Sequence, residues 1–157
     1  MPLDRSTTAG KTYEETFAIE LVWDADQDAT AIPWQPPWQG STIQVGPKAG
    51  WLPAHLVTLA AASGFMSTLL QLAESARVSV LGYVSICKLH VPIDRRSLPT
   101  ITLTPCIVVA STEDANKVAT LCQQASELCE VCRALQGRLE VVPDMQVIAP
   151  GGEGSVA

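Results

Sequence analysis

At 157 residues, 47% of them hydrophobic, the chain has the size of one ordinary domain, able to bury about 70% of its unfolded surface without covalent staples. A net charge of −6, with only ten Lys and Arg scattered along the sequence, disfavours a nucleic-acid or anionic-membrane partner and points to a small molecule or another protein. Five cysteines, Cys87, Cys106, Cys122, Cys129 and Cys132, form an odd set behind a polar N-terminus with no secretory pattern, which points to a reducing, cytoplasmic setting.

Residues 1–12 lack apolar periodicity and are expected to be a flexible tail, as is the glycine-rich stretch 149–157. Residues 13–148 then form the single domain. Over residues 13–23, Phe17, Ile19, Leu21 and Trp23 alternate with Ala18, Glu20 and Val22, the signature of a half-buried strand. An acidic turn, DADQDATA, follows. The next segment, IPWQPPWQGSTIQVGPKAG, carries four prolines and three glycines, which exclude a regular interior element, apart from a short strand over residues 41–45. Trp34 and Trp38 bracket Gln35-Pro36-Pro37, so a stiff polyproline-like backbone presents two indoles. Two readings of them stand: plugs of the core, or the aromatic wall of a pocket.

Residues 51–77 are apolar on nearly every face of a helical wheel, and Ser63, Ser67, Thr68 and Gln71 interrupt the run without giving it a polar side. A buried core helix is expected, with Pro53 in its first turn and the charged residues 74–77 at its exit. The run is long enough for a membrane span. His55, several hydroxyl side chains and the lack of a basic flank speak against one. Residues 78–91 and 98–110 alternate as two strands joined by a turn at Asp94-Arg95-Arg96, with Pro105 marking a bulge or an edge. Thr112 and Asp114 open a second helix over residues 113–135, whose Val118, Leu121, Cys122, Ala125, Leu128, Cys129 and Cys132 recur at three and four. Gly137 ends it, and residues 139–148 make a last strand. This order suits an α+β fold with antiparallel sheets around a long buried central helix.

Cys129 and Cys132 have the CxxC spacing of a thiol redox pair. Such pairs work at a helix N-terminus, where the dipole lowers the thiol pKa. Here a long helical pattern precedes them and both lie on its apolar stripe, so core packing is the stronger reading. No second ligand pair accompanies them, with only His55 and His90 elsewhere, so no metal is expected. No phosphate loop or nucleophile elbow is present, and no cofactor is expected.

LPAHLVTLAAASGFMSTLLQLAE, followed later by ASELCEVCRALQG, resembles the OsmC/Ohr family of thiol peroxidases, whose central helix reads PE-x-L…AACF and whose second helix carries A…CPVSRAL. Pro53 matches the family proline, Phe65 the phenylalanine after its first cysteine, and Arg133-Ala134-Leu135 the end of the second motif. The resemblance covers residues 17–147 and implies an α+β, intertwined homodimer built around the central helix, with sites at the subunit interface.

The same resemblance places the family's peroxidatic cysteine on Gly64, its arginine-holding glutamate on Ala54, and its arginine within residues 23–27, where there is none. The resolving cysteine falls on Cys129, but the proline after it is Glu130. Peroxidase chemistry needs a thiolate stabilised by a cation and a second thiol to resolve the sulfenic acid, and these positions supply neither condition. Cys132, on a family serine, is a possible partner for Cys129 if the helix breaks there. His55, nine residues before Gly64, lies on the opposite helical face.

Three functions follow. In the first, a homodimer that has lost its peroxidase dyad binds a hydrophobic small molecule, or isomerises or cyclises it without a cofactor, in a pocket drawn from Trp34, Trp38, Trp51, Ala54, Gly64, Phe65 and Cys129. In the second, thiol chemistry with hydroperoxides moves to Cys129 and Cys132. In the third, the dimer is structural and catalyses nothing.

Overall fold

A computed structural model describes residues 19–25, 28–33, 41–94 and 96–148. The chain divides into two compact units, one running to Leu52 and one starting at Pro53.

The first unit is a three-stranded antiparallel sheet of β1 (Ile19–Ala25), β2 (Asp28–Pro33) and β3 (Ile43–Val45) in that order. The strand expected at β1 is present, and so is the short β3. The acidic stretch is not all turn. Ala25 pairs with Asp28, and Ala29, Thr30, Ala31 and Ile32 run back along β1 as a strand. β-Branched Thr30 and Ile32 favour that extended backbone once a partner strand is there to pair with. Across the β2–β3 ladder, Gln44 Nε2 donates to Thr30 Oγ1 at 2.9 Å. A bridge from Gly46 to Trp51 closes the unit, and the φ of 123° at Gly46 is open to glycine alone at low cost.

The second unit begins with α1 (Pro53–Ser75), which starts at the proline as the sequence indicates. Within the chain only one stripe of it is buried: Ala61, Phe65, Leu69 and Ala73, each four residues from the next. That stripe packs on a core with Leu103, Ile107, Val118, Leu121 and Ala125. The other faces are open, with Val57 40%, Leu59 47% and Leu70 38% exposed. By length and composition α1 could cross a membrane, with a mean hydropathy of 1.6 over its best window. The helix ends in a Schellman turn. Arg77 takes a left-handed φ of 56°, Val78 N donates to Ala73 O at 2.9 Å and Arg77 N to Glu74 O at 3.0 Å.

β4 (Val80–His90) and β5 (Thr100–Val109) form a long antiparallel pair, joined at a turn where the backbone N–H groups of Arg96 and Ser97 donate to Asp94 Oδ1. Their alternation is the expected one: Ile101, Leu103, Pro105, Ile107 and Val109 of β5 are buried. Pro105 sits in a central strand, not at an edge or bulge. On one side it faces Ser85. On the other, the ladder lapses, because β6 (Leu139–Val141) pairs only as far as Leu103 and β7 (Asp144–Val147) starts opposite Cys106. A strand tolerates proline where a ladder is interrupted.

β6 and β7 run parallel to β5, so this sheet is mixed where antiparallel pairing was expected throughout. The chain leaves β5 and returns through two helices, a crossover that delivers the next strand in the same direction. Val142 and Pro143 divide the single strand expected over residues 139–148. The helix expected over residues 113–135 is likewise divided, into α2 (Thr112–Leu128) and α3 (Glu130–Ala134). Ser111 caps α2 by accepting from Asp114 N at 3.0 Å, and Gly137, at φ 78°, follows α3.

Candidate functional site

The break between α2 and α3 creates the site. Cys129 N still donates to Ala125 O at 2.9 Å, but its ψ of 121° turns the chain out of the helix. Cys129 thereby becomes the cap of α3: its Sγ accepts from Cys132 N at 3.4 Å and its carbonyl from Arg133 N at 2.9 Å. Periodicity could not mark this break, because Cys129 and Cys132 continue the apolar stripe of α2 on a straight helix. The CxxC pair therefore does stand at a helix start, contrary to the uninterrupted helix read from the sequence.

Gly64 of α1 packs against this corner. A Cβ placed on it would lie 3.1 Å from Cys129 Sγ and 3.5 Å from the Cβ and Cγ2 of Val131. The approach is close: a side chain at position 64 would sit in contact with the Cys129 thiol, which would have to give by a few tenths of an ångström. Beside the contact opens a cavity of about 510 Å³ lined by Gly64, Ser67, Thr68, Gln71, Leu72 and Ser75 on one wall and residues 128–131 on the other. Thr68 Oγ1 donates to Gly64 O at 3.0 Å and Ser75 Oγ to Gln71 O at 2.9 Å. Glu130 is the only charged side chain among the lining residues.

A second cavity, of about 530 Å³, lies between α2, α3 and β6, with Cys122, Cys132, Leu139 and Val141 in its lining and Gln123 and Arg133 among its polar groups. Cys129 and Cys132 are both buried, 2% and 4% exposed, yet each borders a different cavity. Burial pushes the Cys122 thiol up to about 11. It raises Cys132 as well, helped by the thiol of Cys129 beside it, and raises Cys87. Desolvation of the charged form is the leading cause in each case, and a thiol kept protonated at neutral pH is a weak nucleophile.

Of the residues singled out from the sequence, Gly64 and Cys129 meet in the first cavity. Cys132 is held to Cys129 but borders the second. Phe65, fully buried, faces the core instead. Ala54, near the exposed start of α1, lines neither cavity, nor does Trp51, which belongs to the first unit. Trp34 and Trp38 lie outside the described residues. The sequence reading missed the stripe Ser67, Thr68, Gln71 and Ser75. At about 100° per residue these fall within about 60° of Gly64, so α1 does have a polar side. The signal was present in their spacing, masked by Leu69, Leu70 and Leu72 between them. Among the described residues no cluster of three or more His, Cys, Asp or Glu is placed to hold a metal ion.

A helix of this length against a β4–β5 pair, with a cysteine at the corner of a broken second helix, defines an OsmC-type α+β protein. The chain belongs to the OsmC family: the model of the OsmC-like protein family matches residues 46–143. Solved structures agree on the fold. An OsmC-like protein from Mycoplasma pneumoniae superposes with a TM-score of 0.67 at 18% identity, over 87% of this chain and 99% of the other. A hypothetical protein from Aquifex aeolicus gives 0.70 at 14% identity, over 87% and 99%. An organic hydroperoxide resistance protein from Legionella pneumophila gives 0.61 at 13% identity, over 88% and 100%. A search of curated proteins found no match.

Proposed function

We propose that this OsmC-family chain works as a homodimer in the cytoplasm, has no thiol peroxidase activity, and binds a hydrophobic small molecule, or converts it without a cofactor, in the cavity beside Gly64. The observation that carries this reading is the Gly64–Cys129 contact. Where the family resemblance puts an attacking sulfur there is no side chain, and a cavity of about 510 Å³ opens beside the gap. A volume of that size suits a drug-sized ligand. Leu72, Leu128 and Val131 give it apolar contact, while the hydroxyls and Gln71 give it orientation. The exposed apolar faces of α1 support the dimer, since large apolar patches of that kind mark interaction surfaces.

The divided helix favours a second reading, in which Cys129 and Cys132 act as a dithiol toward hydroperoxides. Their cap geometry suits a CxxC pair, but both thiols are buried and burial holds Cys132 protonated.

One assay separates the two. The protein is given cumene hydroperoxide with a dithiol reductant, and in parallel a panel of apolar small molecules is screened by thermal shift on the wild type and on Ser67→Phe, which fills the cavity from an exposed position. Negligible peroxide turnover, with stabilisation by a panel member that Ser67→Phe loses, supports the binding reading. Turnover abolished by Cys129→Ser selects the dithiol.

A further inference from the structure

We infer that the ligand taken up beside Gly64 is a cationic amphiphile, an aliphatic or arylalkyl amine protonated at neutral pH. This rests on the reading that the cavity is the binding site and adds the chemical class of its occupant. The wall decides the class. Among the described lining residues Glu130 is the only charged group, and no Lys, Arg or His joins it. The hydroxyl protons of Thr68 and Ser75 are both committed to carbonyl oxygens of α1, at 3.0 and 2.9 Å. A hydroxyl whose proton is committed offers a ligand only its lone pairs. The side chains of Thr68, Ser75 and Glu130 therefore present acceptors, Ser67 and Gln71 can turn either way, and the first backbone N–H groups of α3, at Glu130 and Val131, are donors.

A carboxylate or phosphate entering this cavity would find no cation among the described lining residues and would approach the like charge of Glu130. An alkylammonium group carries three donors and no acceptor, which suits the side-chain acceptors of Thr68 and Ser75, and its contact with the Glu130 carboxylate is charge-assisted. The hydrocarbon part then lies against Leu72, Leu128 and Val131. The net charge of −6 acts in the same sense at longer range by attracting cations to the surface.

The test compares three probes with one skeleton, 4-phenylbutylamine, 4-phenylbutanol and 4-phenylbutyrate, by titration calorimetry at pH 7 on the full-length protein. The variants are Glu130→Gln and two cavity fillers at exposed positions, Ser67→Phe and Gln71→Trp, the second guarding against misfolding of the first. The expected order is amine tightest, by about tenfold over the alcohol, with the carboxylate weakest. Glu130→Gln should bring the amine down to the level of the alcohol, and a folded filler should abolish binding of all three. Equal affinity for amine and alcohol, both lost in the fillers, overturns the amine inference while the cavity reading stands. So does an amine preference that survives Glu130→Gln. Binding that the fillers leave intact, or no binding by any probe, overturns the cavity reading and this inference with it.

Discussion

A Cβ on Gly64 would stand 3.1 Å from Cys129 Sγ, and a disulfide with an S–S bond of about 2.04 Å holds each Cβ about 3.0 Å from the far sulfur. The fold therefore keeps the spacing of a cross-link between α1 and the α2–α3 corner at a place where the chain has no sulfur to make one.

Gly64→Cys should restore that cross-link and little else. Mild oxidation should join the new thiol to Cys129, read as a loss of two hydrogens by intact mass and as reversal by a reductant. Hydroperoxide reduction should stay near background. Ala54 supplies no carboxylate, no arginine stands in residues 23–27, and an unassisted thiol keeps a pKa of about 8.5. Substantial turnover by this single variant would mean that the missing ionic pair is not what separates this chain from a peroxidase.

Much of this corner was legible in the sequence, and the rest was hidden for identifiable reasons. The start of α1 at Pro53 and the alternation of β4 and β5 follow from patterns that local chemistry fixes. The break at Cys129 left no trace because both cysteines of the CxxC continue the stripe of Val118, Leu121, Cys122 and Ala125, so straight and broken helices bury the same residues. The parallel entry of β6 and β7 was hidden because a strand's residue pattern records its buried face, not its direction. Strand β2 was obscured because it opens on Asp28, the end of an acidic run that reads as a turn although Asp24 and Asp28 lie in the strands themselves.

Arg77→Gly should stabilise the fold. Arg77 holds φ 56° at the end of α1, a conformation that costs an L-residue about 1 kcal/mol and glycine almost nothing. Arg77 is exposed, so its side chain gives up little. The melting temperature should rise by about 2–4 °C. A fall would show that the arginine side chain makes a contact worth more than the backbone strain.

Alkaline pH should destabilise the protein through its buried thiols. In the unfolded chain Cys122 titrates near 9.0, whereas burial holds it at about 11 in the folded state, and Cys132 is raised in the same direction. A group whose folded pKa is raised gives stability that is complete below the unfolded value and is lost as pH climbs through the folded one. Melting temperature should therefore be insensitive to these thiols up to about pH 9 and fall above it. Cys122→Ala should flatten the decline, at the expense of a lower starting stability from the small cavity it leaves. A decline of unchanged slope in Cys122→Ala would assign the alkaline loss to other groups.

The last prediction concerns what covers α1. Of its most apolar window only 22% is buried within the chain, and Val57, Leu59 and Leu70 stand well exposed around the stripe that faces the core. Each such side chain contributes about 1.5–3 kcal/mol when fully removed from water, so with some two-fifths of each still exposed a lone chain forgoes a few kcal/mol, a sizeable part of the stability margin of a small domain. A second copy is the proposed cover, because a helix with an apolar face left open beyond its own core stripe can serve both subunits of a symmetric pair. Light scattering at micromolar concentration should give twice the chain mass with no detergent present. Leu59→Glu, on an exposed face of α1 away from Gly64, should lower that mass or drive aggregation, because a carboxylate buried at an interface strands a charge. A monodisperse folded monomer of the wild type would sink the dimer, and recovery of the protein only from membranes or detergent would show that lipid covers the helix instead.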